Sequence, residues 1–185
     1  MDKINLFQVG FNPGTERANN DLYCTNPKQV EKLLQYETFD NNIWECCNGL
    51  SHISNYLTEQ GYTVTKTDID TYEQDDVEVV NFLATDTTFD GDIITNPPYH
   101  NAEQFAAKAI ESANKVAMLM KINFLATQKN KRLYDKYPPK TIYVLSKRLN
   151  CAKNGEFDKY GNGAVDYCWI IWEKGYEGET KIKWI

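Results

Sequence analysis

No stretch of this 185-residue chain approaches the ~20 consecutive apolar residues that a membrane-spanning helix requires. The opening Met1-Asp2-Lys3-Ile4-Asn5 also lacks the apolar core of a secretory signal. A cytoplasmic location with no membrane partner is therefore the expectation. Metal-ligand patterns are scarce as well. There are two histidines, His52 and His100, and five cysteines, Cys24, Cys46, Cys47, Cys151 and Cys168, with no CxxC pair. That odd, scattered set fits buried free thiols better than disulfides or a zinc centre, and no metal is expected. Positive charge is short too: 20 Lys and Arg against 26 Asp and Glu leave a net charge of −6. A protein that grips duplex DNA alone usually carries a basic surface, because phosphate neutralisation dominates affinity. Only a local basic face is open, with Lys129, Lys131, Arg132, Lys140, Lys147 and Arg148 as its candidates; the same charges can equally solvate a helix and its flanks.

The apolar share, 42%, and the aromatic share, 13%, are those of a globular protein. A chain this long buries roughly 70% of its unfolded surface. With no internal repeat, low-complexity run or linker, residues 1–185 read as a single domain without a separate target-recognition domain. Residues 1–22 form an irregular arm with turn residues at Gly10, Asn12, Pro13 and Gly14. A helix opens near Asn26-Pro27 and repeats Val30, Leu33 and Leu34 at helical spacing. Strands are expected at Asn42 to Cys46, Tyr62 to Thr67, Asp92 to Thr95, Val116 to Met120, Thr141 to Leu145, Ala164 to Trp172 and Lys181 to Ile185. A short apolar piece runs from Val79 to Leu83. Helices are expected at Ser51 to Gln60, along the face made by Ala102, Phe105, Ala106, Ala109, Ile110 and Ala113, and at Asn130 to Tyr137. The alternation argues an α/β fold, mostly parallel and doubly wound, ending in an antiparallel C-terminal hairpin.

The densest chemical signal is Asn96-Pro97-Pro98-Tyr99, directly after the apolar run Asp92-Ile93-Ile94-Thr95. In open α/β sheets the ligand edge is the carboxyl end of the strands. Each proline fixes its own φ and restrains its predecessor, so the loop is rigid before a ligand arrives. The Asn96 side-chain oxygen and the Pro97 carbonyl can accept both hydrogens of one planar amine, and Tyr99 offers a flat face. Two prolines after a strand can also make an ordinary turn; the buried-looking strand before them and the amphipathic helix after them favour the functional reading.

A nucleotide site in such a sheet is built by the first strand, its turn and the second strand. Here the turn reads Trp44-Glu45-Cys46-Cys47-Asn48-Gly49-Leu50-Ser51-His52, a weak glycine loop in which Ser51 stands where a second glycine is expected. About twenty residues on, Asp68 closes the second strand, where an acidic side chain typically accepts ribose hydroxyls. Its bland alternative is a loop cap.

Together these segments resemble the S-adenosylmethionine-dependent amino-methyltransferases. The likeness is strongest to the short DNA adenine-N6 methyltransferases carried by phages and prophages. It covers nearly the whole chain from about Tyr23, including Arg148 to Gly155 and Trp172-Glu173-Lys174-Gly175-Tyr176. The resemblance implies a Rossmann-like methyltransferase fold, S-adenosylmethionine as cofactor, DNA as partner, and a bacterial or phage-infected host cell. It also implies roles. Glu45 and Gly49, with Cys46, would line the methionine part of the cofactor. Asp68, with Ile69, would hold its ribose, and Asn81 and Phe82 would flank its adenine, although Asp is more usual at Asn81. Thr25 and Pro27 would close over its amino-acid end, next to Asn96. Asn96, Pro97 and Tyr99 would be catalytic. Pro98, Tyr99, Lys153, Asn154 and Phe157 would meet the substrate, with Tyr160 a further candidate wall. Departures at Asn48 and Ser51 bear on cofactor affinity rather than on the fold.

The runner-up is methylation of another planar amine, an RNA base or a protein glutamine. A third reading is a catalytically silent binding protein with a methyltransferase fold. Sequence alone leaves the recognition site and the oligomeric state undefined.

Overall fold

The computed structural model describes residues 24–147, 157 and 165–185. The expected arm at 1–22 lies outside the described residues, as do Arg148, Cys151, Lys153, Asn154 and Tyr160. Helix α1 (Pro27–Leu34) begins where its chemistry dictates. The Asn26 side chain accepts the Lys28 amide, and Pro27 occupies the first turn, where no donor is needed. Next come β1 (Asn42–Glu45), α2 (His52–Glu59), β2 (Thr63–Asp68) and a two-residue β3 (Glu78–Val79). Then follow β4 (Asp92–Thr95), α3 (Ala102–Ser112), β5 (Lys115–Lys121), α4 (Gln128–Lys136), β6 (Thr141–Val144), β7 (Tyr167–Glu173) and β8 (Lys181–Trp184).

The eight strands form one sheet in the order β3-β2-β1-β4-β5-β7-β6-β8. Successive residues of a strand point to opposite faces, and the core divides accordingly. Trp44, Ile93, Met118 and Ile170 pack with Ala102, Ala106 and Ala109 of α3 on one face. Ile43, Ile94, Ala117 and Trp169 pack with Val30, Leu33 and Leu57 of α1 and α2 on the other. This is the doubly wound, mostly parallel α/β architecture that the alternation of elements predicts.

One detail of the expected C-terminal hairpin needs correction. The antiparallel strand is present, but β7 pairs with β5 and β6, whereas β8 pairs with β6 and runs parallel to it. The reason lies in side-chain chemistry. Six of the seven residues in Tyr-Cys-Trp-Ile-Ile-Trp-Glu are buried, so β7 needs neighbours on both edges and both faces. Lys-Ile-Lys-Trp is exposed throughout and suits the rim. In the apolar piece from Val79 to Leu83, Val79 pairs with Asp68 of β2 and the Val80 amide donates to the Asp68 carbonyl at 2.7 Å. Asn81 then turns the chain, its carbonyl accepting the amides of Ala84 and Thr85.

Candidate active site

The strand order reverses about β1, which has β2 on one side and β4 on the other. Crevices at the carboxyl edge open at such a switch point. A cavity of about 310 Å³ lies there, walled by the β1–α2 turn, the end of β2, the segment after β3 and the loop after β4. From the glycine turn come Cys46 and Gly49; from the end of β2, Asp68 and Ile69; from the turn after β3, Asn81 and Phe82. Thr25 enters from ahead of α1, and Asn96, Pro97, Pro98 and Tyr99 close the opposite side. Most of the expected site residues thus converge on one space. Pro27 instead starts α1, and Glu45 sits behind the turn; neither is among the residues lining the cavity.

The glycine turn keeps its shape without a second glycine. Gly49 has φ 52° and Ser51 has φ 60°, both in the left-handed region, which a serine adopts only at a cost. A polar network offsets that cost. The Asn48 amide donates to Ser51 Oγ at 2.7 Å, and its oxygen accepts from Ser54 Oγ at 2.6 Å. Ser51 Oγ also bonds Gln74, whose side-chain amide donates to the Gly49 carbonyl at 2.7 Å. The departures at Asn48 and Ser51 therefore form a substitute frame. Gln74 was not singled out in the sequence; the one available signal is a neutral amide inside the acidic stretch Asp70 to Glu78.

Asp68 does what its bland reading predicts, and more remains available to it. Its two oxygens accept the Gly49 amide at 2.8 Å and the Ile69 amide at 2.6 Å. A carboxylate has about four acceptor positions, so capacity is left on the cavity side. Burial raises the Asp68 pKa, and the amides of Gly49, Ile69 and Asp70 oppose that rise. Glu45 is fully buried. Burial pushes its carboxyl well above the usual value, opposed by Thr95 and the Cys47 amide. Glu45 Oε1 accepts that amide at 3.1 Å, whereas neither Oε2 nor Thr95 Oγ1 has a partner at full hydrogen-bond geometry.

On the opposite wall Asn96 Nδ2 donates to Thr25 Oγ1 at 3.0 Å, which turns Oδ1 away from Thr25 and fixes the amide. Thr25 is 3% exposed, so the contact is shielded from competing water. Pro97 is buried, and Pro98 (φ −57°, ψ 122°) leads into a single turn over Tyr99–Asn101. The Tyr99 ring lies 6.4 Å from that of Tyr167, with Lys121 Nζ 4.3 Å from its centroid. Phe157 packs edge-on against His52, a cavity residue, at 5.2 Å. Phe82 is stacked on Phe105 at 5.5 Å and meets the Trp44 edge at 5.2 Å, so its ring is locked before any ligand arrives. Lys121 was another residue that sequence reasoning passed over; a lysine ending an apolar strand normally reads as a solvated boundary.

Half of the candidate basic face is tied up in ion pairs; Arg132 and Lys147 are exposed, and Arg148 lies outside the described residues. Lys129 pairs with Glu103 at 2.9 Å, Lys131 with Asp135 at 2.6 Å and Lys136 with Glu111 at 3.3 Å. Lys140 precedes β6 at the opposite edge of the sheet and pairs with Glu173 at 2.6 Å. The three lysines of α4 are thus paired, while Arg132 is exposed with no ion pair among the described residues.

The fold matches solved structures described as methyltransferases. A protein of Listeria monocytogenes described as a class I member is 13% identical, with a TM-score of 0.62 over 93% of this chain and 68% of that one. An RNA methyltransferase candidate from Pyrococcus horikoshii is 13% identical, with a TM-score of 0.54 over 80% of each chain. The 23S rRNA methyltransferase ErmE is 16% identical, with a TM-score of 0.54 over 84% of this chain and 72% of that one. No protein-family model matches the chain, and no curated protein does. The fold is therefore the Rossmann-like fold of that class.

Proposed function

We propose that the protein transfers a methyl group from S-adenosylmethionine to the exocyclic N6 amine of adenine in DNA, with the flipped base held by Asn96 to Tyr99. One observation carries this reading: the Asn96 loop, its amide oriented by Thr25, faces the Gly49 turn and Asp68 across a single cavity. The cavity suits the cofactor. Asp68 keeps acceptor capacity for ribose hydroxyls, and Ile69, 60% exposed, together with Phe82 offers apolar surface to the purine. The left-handed Gly49 allows close backbone approach. When bound, S-adenosylmethionine supplies an electrophilic methyl on a sulfonium sulfur.

The protein's own task is positioning and electrostatics. Asn96 Oδ1 and the Pro97 carbonyl accept the two N6 hydrogens, which favours a tetrahedral nitrogen with its lone pair directed at the methyl. The amine would take the methyl as the bonding pair of the S–C bond stays on sulfur, and its surplus proton would leave to water. Tyr99 stacks on the base, which a duplex must first extrude. Solved neighbours named as RNA methyltransferases support a nucleic acid and keep RNA adenine as the second reading.

The test is transfer of labelled methyl from S-adenosylmethionine to separate pools of DNA, RNA and protein, with Asn96→Ala alongside. Label recovered as N6-methyladenine in DNA, and lost in the variant, is expected. Label in RNA or protein would move the substrate. An absence of label together with an absence of cofactor binding would leave a silent methyltransferase-fold protein.

A further inference from the structure

A second cavity, of about 350 Å³, adjoins the first, and Tyr99 and His100 line both. Its far wall is the end of β5 and the segment beyond, bringing in Lys121, Asn123, Lys129 and Asn130. The two lysines differ. Lys129 is already neutralised by Glu103 at 2.9 Å. Lys121 is half-buried, and among the described residues its ammonium makes no ion pair; it rests over the Tyr99 ring at 4.3 Å. A cation on an aromatic face is held less strongly than one donating charge-assisted hydrogen bonds to a phosphate. Half-buried, and with no ion pair among the described residues, Lys121 is therefore poised for an anion. Of the two lysines that line this cavity, Lys121 is the one without an acid partner among the described residues.

We propose that the second cavity receives the sugar–phosphate of the nucleotide whose base reaches Tyr99, and that Lys121 leaves the ring to bind that phosphate. The inference rests on the proposed function, in which Tyr99 stacks on the target base, and it deepens it. The substrate class becomes a phosphodiester strand, DNA or RNA, rather than a protein amide, which has no phosphate to offer. A phosphate contact of this kind positions the strand without reading its sequence. It gives an acidic protein a cation at the site itself with which to hold a polyanion. Lys121 is thus a substrate-binding residue that acts on encounter, with cofactor binding left to the other cavity.

The test is fluorescence anisotropy of a short labelled, adenine-containing single-stranded oligodeoxynucleotide, and of its RNA counterpart, at several salt concentrations. Wild type, Lys121→Ala, Lys121→Arg and Lys129→Ala are compared, with S-adenosylmethionine affinity and thermal melting measured on each. Lys121→Ala is expected to weaken oligonucleotide binding several-fold and to lower the slope of log affinity against log salt by about 1. Lys121→Arg should restore most of the affinity, Lys129→Ala should change little, and cofactor affinity should hold in all four. An unchanged affinity and slope in a folded Lys121→Ala protein would overturn the assignment, as would a wild type that binds neither strand. Strand binding that depends on Lys121 without any methyl transfer would remove the methylation reading and leave this one. Methylation of adenine with no dependence on Lys121 would do the reverse.

Discussion

Asn96 and Thr25 lie far apart in sequence, yet one hydrogen bond between them orients the amide on which the proposed chemistry depends. Replacing Asn96 by Ala should remove about 2–4 kcal/mol of transition-state stabilisation, the range for a preorganised polar group. Single-turnover methyl transfer checks this, with cofactor affinity nearly unchanged. Thr25→Val keeps the shape and removes the hydroxyl, so kcat should fall about tenfold or more while the fold survives, consistent with the loss of one buried hydrogen bond. Equal kcat in the variant would release Thr25 from that positioning role. The left-handed Ser51 offers a separate test of backbone strain. Ser51→Gly and Ser51→Ala both lose the bonds to Asn48 and Gln74, but only glycine relieves φ 60°. Ala should be the less stable of the two by about 1 kcal/mol in urea unfolding.

At the scale of elements, β4 delivers the Asn96–Tyr99 loop, and its entry is tightly packed. A Cβ on Gly91 would stand 2.5 Å from the Asn42 carbonyl oxygen and 2.7 Å from the Phe89 ring. Gly91→Ala should therefore cost about 1–3 kcal/mol in stability, as overpacking does, and loosen the start of β4. Melting together with amide exchange of Ile93 and Ile94 checks it. Most elements were legible because their signals are local. Asn26 and Pro27 start α1, and Gly61, at φ 94°, closes α2. The partner of β8 was not legible, because pairing depends on which strand demands burial on both edges, and that is settled by competition across the sheet. The neutralised charges of α4 escaped for a similar reason: Glu103 and Glu111 belong to α3, and only packing brings them beside Lys129 and Lys136.

For the molecule as a whole, the two edges of the sheet divide the work. The amino edge carries a compact ion network: Lys115 lies 3.0 Å from Glu37 and Lys140 lies 2.6 Å from Glu173, while Tyr143 donates to Glu37 at 3.0 Å. Glu45 and Asp68 are buried at the carboxyl edge and Asp92 at the amino edge, where β4 starts, and burial raises the pKa of all three. For a raised carboxyl the native state holds the proton longer than the unfolded chain. Its contribution is present below the unfolded value and is lost as pH rises through the folded one. Groups with a lowered pKa run the other way. His52, lowered by burial, costs stability as pH falls below about 6.5, and Glu173, lowered by Lys140, does so in the acid range. Comparing variants isolates the largest buried group: Glu45→Gln should gain stability relative to wild type as pH rises from about 4.5 towards 8. Melting curves across that range check the sign, and a constant difference would mean Glu45 titrates as it does in the unfolded chain.

Element order, the start of α1, the end of α2, the Asn-Pro-Pro-Tyr loop and the acidic end of β2 were determined by the sequence alone, because each rests on near-neighbour sterics or on periodic burial. Tertiary structure decided which residues meet. It set Thr25 on Asn96, bound Gln74 under the Gly49 turn, and drew Glu45 behind the cavity. It also left Lys121 over Tyr99 while pairing other lysines with acids. Such contacts are chosen by the packing of distant segments, where hydrogen-bond satisfaction and desolvation are resolved for the whole fold at once and carry no trace in local residue spacing.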